Sequence, residues 1–108
     1  MTEQEYRELI YGYIARIPPG KVATFGLLAA LAGNPQAARR AARAVANAPD
    51  GLPCHRVLKA GGELVPGYVF GHGEQRARLM AEGVLFTDDG RVRLSQCIWK
   101  PVELLENK

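Results

Sequence analysis

Proline and glycine cut this 108-residue chain into short pieces. "PPG" occupies residues 18–20, "GNP" 33–35, "NAPDGLP" 47–53 and "PGYVFGHG" 66–73. Proline removes a backbone donor and clashes with the preceding helical turn, and glycine loses the most backbone freedom on folding. The stretches between these breaks therefore set the length of every helix or strand. No apolar run reaches the roughly 18 residues that a membrane span needs.

"TEQEYRELIYGYIARI" predicts a first helix. Thr2 is placed to cap it, and Glu5 three residues on completes a capping box. Tyr6, Leu9, Ile10, Tyr13, Ile14 and Ile17 fall at helical spacing and form its buried stripe. "KVATF" is a short extended piece. Thr24 then caps a second helix, "FGLLAALAG", which Gly33 ends. "GNP" turns into a third helix from about Gln36 to Asn47. Two short helices around a tight turn, the second strongly basic, have the layout of a helix-turn-helix. Downstream, "CHRVLK" and "GELV" predict a small hairpin around "AGG". "GEQRARLMAEGV" predicts a final helix, and residues 84–94 a hairpin with an Asp-Gly turn. The expected fold is one mainly α domain over residues 1–108, with short β hairpins and a winged helix-turn-helix character.

Net charge is only +3, but its distribution is uneven. Arg39, Arg40, Arg43, Arg56 and Lys59 face a single acid, Asp50, between residues 36 and 59, whereas the first eight residues carry Glu3, Glu5 and Glu8. On the third helix, Gln36, Arg39, Arg40, Arg43 and Asn47 share one side. Alanines fill most of the remainder and leave little bulk around the arginines. A slim arginine-studded helix can approach a phosphate backbone closely, so the pattern points to nucleic acid, DNA first.

Two cysteines, two histidines and no C-x-x-C or H-E-x-x-H spacing make a poor metal site. No secretory signal opens the chain, so free thiols in a cytoplasmic setting are expected. Cys54 reads equally as a nucleophile or as a small buried hydrophobe. A thiol attacks as its thiolate, which calls for a base such as a histidine and a carboxylate to orient it. Glu82 suits that last role if the final helix packs under the loop. Cys97, ahead of Ile98 and Trp99, reads as packing.

"PGKVATFGLLAALAGNPQAARRAARAV", "PCHRV", "GYVFG" and "AEG" together resemble the DNA-binding, active-site domain of the O6-alkylguanine-DNA alkyltransferases, over roughly residues 5–86. The short chain, without the family's usual N-terminal domain, and the "CIWKP" ending are also similar to the alkyltransferase-like proteins, which bind such lesions without repairing them. The two patterns mix here, because the sensors usually replace the acceptor cysteine.

The resemblance implies a monomer that needs no cofactor and binds double-stranded DNA carrying O6-alkylguanine through the minor groove. It makes Cys54 the alkyl acceptor, His55 the base acting through water and Glu82 the carboxylate behind it. Arg39 becomes the finger that replaces the extruded nucleotide, with Phe25, Gln36, Arg40, Arg43 and Arg56 also on the DNA. Phe25, Asn47, Pro53, Tyr68 and Val69 line the lesion pocket. Phe25 stands where the family usually has tyrosine, which removes a hydrogen-bond donor. The implied activity is irreversible alkyl transfer to Cys54 by a single-turnover methyltransferase. The alternative is a non-enzymatic sensor that flags the lesion for nucleotide excision repair proteins, and a plain helix-turn-helix regulator is a third. When bound to DNA the protein would be associated with the nucleoid.

Overall fold

A computed structural model describes residues 1–66 and 73–101. Helix α1 spans Glu3–Ala15. The expected capping box is formed: Thr2 Oγ1 accepts from the Glu5 N–H at 3.1 Å, and Glu5 Oε1 accepts from the Thr2 N–H at 2.9 Å. Tyr6, Ile10, Ile14 and Ile17 are buried, as the helical spacing predicts, while Leu9 and Tyr13 are half-buried. Two phenols project from α1 to its neighbours. Tyr13 donates to the Leu31 carbonyl at 2.9 Å and Tyr11 to the Ala44 carbonyl at 2.8 Å.

Strand β1 is Ala23–Thr24, and α2 follows over Phe25–Leu31 with the Thr24 hydroxyl accepting from the Leu27 N–H. Helix α3 is Ala38–Ala46. It starts two residues later than its sequence pattern suggests because Asn34 makes a turn of its own. The Asn34 side chain takes the Gln36 N–H at 2.9 Å, and its carbonyl takes the Ala37 N–H at 3.0 Å. Asparagine competes for backbone groups in this way and delays the helix.

The hairpin expected around "AGG" is not what forms. Cys54–Arg56 is a single 3-10 turn, and Val57–Leu58 is strand β2, paired parallel to β1 with Ala23 opposite Val57 and Thr24 opposite Leu58. Val57 and Leu58 are wholly buried. A strand buried on both faces pairs inside the core, with α2 and α3 as the crossover that a parallel pair requires. Helix α4 is Glu74–Ala81, closed by Gly83 at φ 85°. The second predicted hairpin is present, with Phe86 opposite Val92 in an antiparallel bridge. One further helical turn, α5 (Leu94–Cys97), follows it.

Two cores result. Helices α1 to α3 close around Ala23 and Val57 in the first, and Val22, Leu58, Leu79, Val84, Val92 and Cys97 form the second. The molecule is a mainly helical, winged helix-turn-helix-like fold, in which α2 and α3 are the two helices and the 84–93 hairpin is the wing. No helix among the described residues is long and apolar enough to cross a membrane.

Gly62 joins the wing to this frame. Its carbonyl accepts from the Val92 N–H at 2.9 Å, its φ is +85°, and a Cβ there would lie 2.5 Å from the Val92 carbonyl oxygen. Gly62→Ala is expected to destabilise the protein by about 2 kcal/mol or more, read from the midpoint of urea denaturation.

Candidate functional site

Cys54 opens the 3-10 turn immediately after the half-buried Pro53, so the thiol and the next residue's imidazole emerge from one tight bend. The thiol is half-buried, and burial pushes its pKa up. The unassisted group is a protonated thiol at neutral pH. His55 is buried, and its Nε2 lies 2.9 Å from Glu82 Oε2. The expected meeting of His55 with the end of the last long helix is therefore realised. Its other nitrogen, Nδ1, is buried without a hydrogen-bond partner among the described residues.

Glu82 serves a second partner. Arg56 Nε donates to its two oxygens at 3.0 and 3.2 Å, and Nη2 donates to Oε2 at 2.7 Å. Arg56 Nη1 donates to the Ile17 carbonyl at 2.8 Å. The Arg56 bonds hold the Glu82 carboxyl down at about 2, with His55 adding to the effect and burial opposing it. An ionised carboxylate only accepts, so Nε2 of His55 carries the proton, and whenever the ring holds a single proton Nδ1 keeps a lone pair. Arg56, expected at the DNA surface, is turned inward with its side chain only 14 % exposed.

The arginines of α3 divide in the same manner. Arg39 and Arg43 are exposed and have no ion-pair partner among the described residues. Arg40 is tied back to α1, with Nε and Nη2 each 2.9 Å from Glu3 Oε1 and the guanidinium 3.9 Å above the Tyr6 ring. Gln36 and Asn47 are exposed, and the Asn47 amide donates to the Arg43 carbonyl at 2.8 Å.

Two cavities flank the end of α3. One of about 520 Å³ is lined by Phe25, Arg39, Val45, Val57, Val65 and Pro66 among others. The other, of about 500 Å³, is lined by Cys54, Asp50, Glu74 and Arg78 and shares Val45 and Ala46 with the first. Phe25 and Arg39 thus meet at one cavity and Cys54 lines its neighbour. Tyr68 and Val69 lie outside the described residues. No group of three or more potential metal ligands occurs among the described residues. Sequence reasoning missed Arg56 as the partner of Glu82, because an arginine in a basic segment carries no mark that it points inward.

Because the folded carboxyl of Glu82 sits below its ordinary value of 4.5, the ion pair contributes stability above that pH and loses it as pH falls from 4.5 through about 2. Given its remaining solvent contact, the contribution is on the order of 2 kcal/mol. Acid titration of the unfolding free energy should show this loss in the native protein and a flatter limb in Glu82→Gln.

Residues 5–84 match the family described as "6-O-methylguanine DNA methyltransferase, DNA binding domain". The DNA base-flipping protein of Escherichia coli K12 is 36 % identical over 101 residues, covering 90 % of this chain and 76 % of that protein. The crystal structure of S. pombe Atl1 in complex with damaged DNA containing O6-carboxymethylguanine superposes with a TM-score of 0.79 at 30 % identity, covering 94 % of this chain and all of that one. Mycobacterium tuberculosis OGT in complex with DNA gives 0.66 at 33 % identity, covering 73 % of this chain and 49 % of that one. The match spans α1 to α4 with both flanks of the Cys54 turn, and the chain belongs to the family of the 6-O-methylguanine DNA methyltransferase DNA-binding domain.

Proposed function

We propose that this protein binds duplex DNA containing O6-alkylguanine, extrudes the damaged nucleotide and marks the lesion for nucleotide excision repair proteins. The observation that carries this reading is the placement of Arg39. It stands exposed near the start of α3, on the rim of a 520 Å³ cavity whose other walls are mainly apolar. Extruding a base costs a few kcal/mol of stacking and pairing, less at a damaged pair. A guanidinium entering the vacated stack offsets part of that cost, and the adjoining cavity can receive the base. The alanines of α3 let the helix backbone come close to the minor groove, and Arg43 supplies phosphate charge. End-to-end similarity to S. pombe Atl1 supports the damage-binding reading over removal of the alkyl group.

A second reading, alkyl transfer to Cys54, is favoured by one specific observation: His55 Nδ1 is unpartnered while Nε2 is engaged with an ionised Glu82. In that chemistry Nδ1 takes the Cys54 proton through a water. Sulfur attacks the alkyl carbon, the carbon–O6 bond breaks with its electron pair on O6, and guanine O6 or a tautomeric nitrogen takes up a proton. The product is an S-alkyl cysteine with no return path, so each molecule acts once. Burial, which raises the pKa of the thiol, works against this step.

Intact-protein mass after incubation with a duplex carrying one O6-methylguanine separates the two readings. Lesion-selective binding with unchanged mass is the expected result. A gain of about 14 Da, abolished in Cys54→Ser, would move the function to transfer by the nucleophilic route. Loss of all preference for the lesion would leave a plain DNA-binding domain.

The arginine division predicts a second pattern. Arg43→Ala should lower the slope of log affinity against log salt by about 1. Arg40→Ala should leave that slope unchanged and lower thermal stability instead, because its charge is already committed to Glu3.

A further inference from the structure

Gln75, the second residue of α4, is only 3 % exposed and uses its amide in three directions. Nε2 donates to the carbonyls of His55 at 3.1 Å and Val57 at 3.0 Å, and Oε1 accepts from the Val65 N–H at 2.9 Å. Both amide hydrogens are consumed, so the orientation of the group is fixed by its partners. Those partners are three backbone groups on two stretches, the 54–58 turn and strand and the loop at Val65. His55 sits in the turn that carries Cys54, Val57 begins β2, and Val65 lies on the loop beyond it.

Val57 and Val65 both line the 520 Å³ cavity that Arg39 and Phe25 border. One side chain therefore holds two walls of that cavity and the His55 turn at a set spacing. Neither wall is spanned by a regular ladder here: β2 is two residues long and pairs on its other side with β1, and Val65 belongs to no strand. Without the Gln75 amide, two carbonyls and one N–H would lose their partner together, and a buried unpaired backbone group is costly enough to shift the chain.

We infer that Gln75 is a positioning residue that sets the width of the lesion cavity and registers it with the His55 turn, so that discrimination between damaged and undamaged guanine depends on it. The inference rests on the lesion-binding reading above. Gln75 touches neither the exposed face of α3 nor any group assigned to phosphate, so general affinity for DNA does not run through it.

Gln75→Glu and Gln75→Met separate positioning from mere bulk. The carboxylate keeps the size and the acceptor for Val65 but loses both donors, and it sets a negative charge against two carbonyl oxygens. The thioether keeps the shape and loses all three bonds. The measurement is the ratio of dissociation constants for an undamaged duplex and one with a single O6-methylguanine, beside the far-ultraviolet circular dichroism of each variant. The expected result is a fall in that ratio of about tenfold in both variants, with affinity for undamaged duplex within about twofold of native. A merely structural role would weaken both duplexes together, and that outcome, or an unchanged ratio, overturns the inference. Lack of discrimination by the native protein itself would remove the lesion-binding reading and this inference with it. Should the variants fail to fold, hydrogen exchange on the native protein decides. The Val65 amide and the Gln75 side-chain amide should be protected when free and slowed further only by the damaged duplex. Exchange unaffected by the lesion sinks the proposal.

Discussion

The Glu82 carboxylate accepts from Arg56 at 2.7 Å and lies 2.9 Å from His55 Nε2, and the geometry of the site depends on this junction. Bringing a carboxylate out of water costs several kcal/mol, and only a well-formed set of donors offsets it. The planar fork of arginine matches a carboxylate on two oxygens, which lysine cannot do. Because Arg56 also holds the Ile17 carbonyl, the junction ties the end of α1, the Cys54 turn and the end of α4 to one point. Orientation of the imidazole is then a consequence of charge. An anion beside Nε2 keeps the proton there and leaves Nδ1 as the basic nitrogen.

The same point lies where the two cores meet. Successive residues of an extended chain face opposite ways, and the segments divide accordingly: Ala23 and Val57 enter the first core, Leu58 and Val22, the residue before β1, the second. The Cys54 turn runs directly into β2, while Glu82 follows Leu79, which packs in the second core. Packing on either side of this seam therefore shifts the site. Gln75 braces the same seam from below with neutral hydrogen bonds, where Glu82 and Arg56 use charge.

The thiol stands in a setting that does not activate it by itself. Reactive cysteines with low pKa have nearby positive charge or a helix N-terminus, whereas burial alone dominates at Cys54. The positive charge closest in sequence, Arg56, is spent on Glu82. On the transfer reading the thiol proton leaves through the lone pair of His55 Nδ1, while the proposed contacts to DNA fall to Arg39, Arg43 and the cavity beside them. On these proposed assignments binding and transfer use separate parts of the molecule, so a chain could keep the first without the second.

The sequence by itself determined the local structure. The Thr2 and Thr24 caps, the apolar stripe of α1, the turn at Gly33 and Asn34, the basic helix and the Asp-Gly hairpin are all set by interactions within a few residues, and they were legible for that reason. The "PCHRV" and "AEG" motifs, through the family resemblance, likewise offered Cys54, His55 and Glu82 as a candidate set. Only the tertiary structure decided what those elements meet. Parallel pairing of Val57–Leu58 with Ala23–Thr24 joins residues more than thirty positions apart, and no local pattern distinguishes such a strand from one arm of a hairpin. Arg56 and Arg40 look like their basic neighbours in sequence; their direction is set by Glu82 in one case and by Glu3 and Tyr6 in the other. Gln75 gave no signal at all, because its three partners are backbone groups brought together by the fold. Caps and stripes are short-range and specific to residue type, whereas burial and pairing of polar groups depend on distant chain, and that difference separates what the sequence determined from what the packing decided.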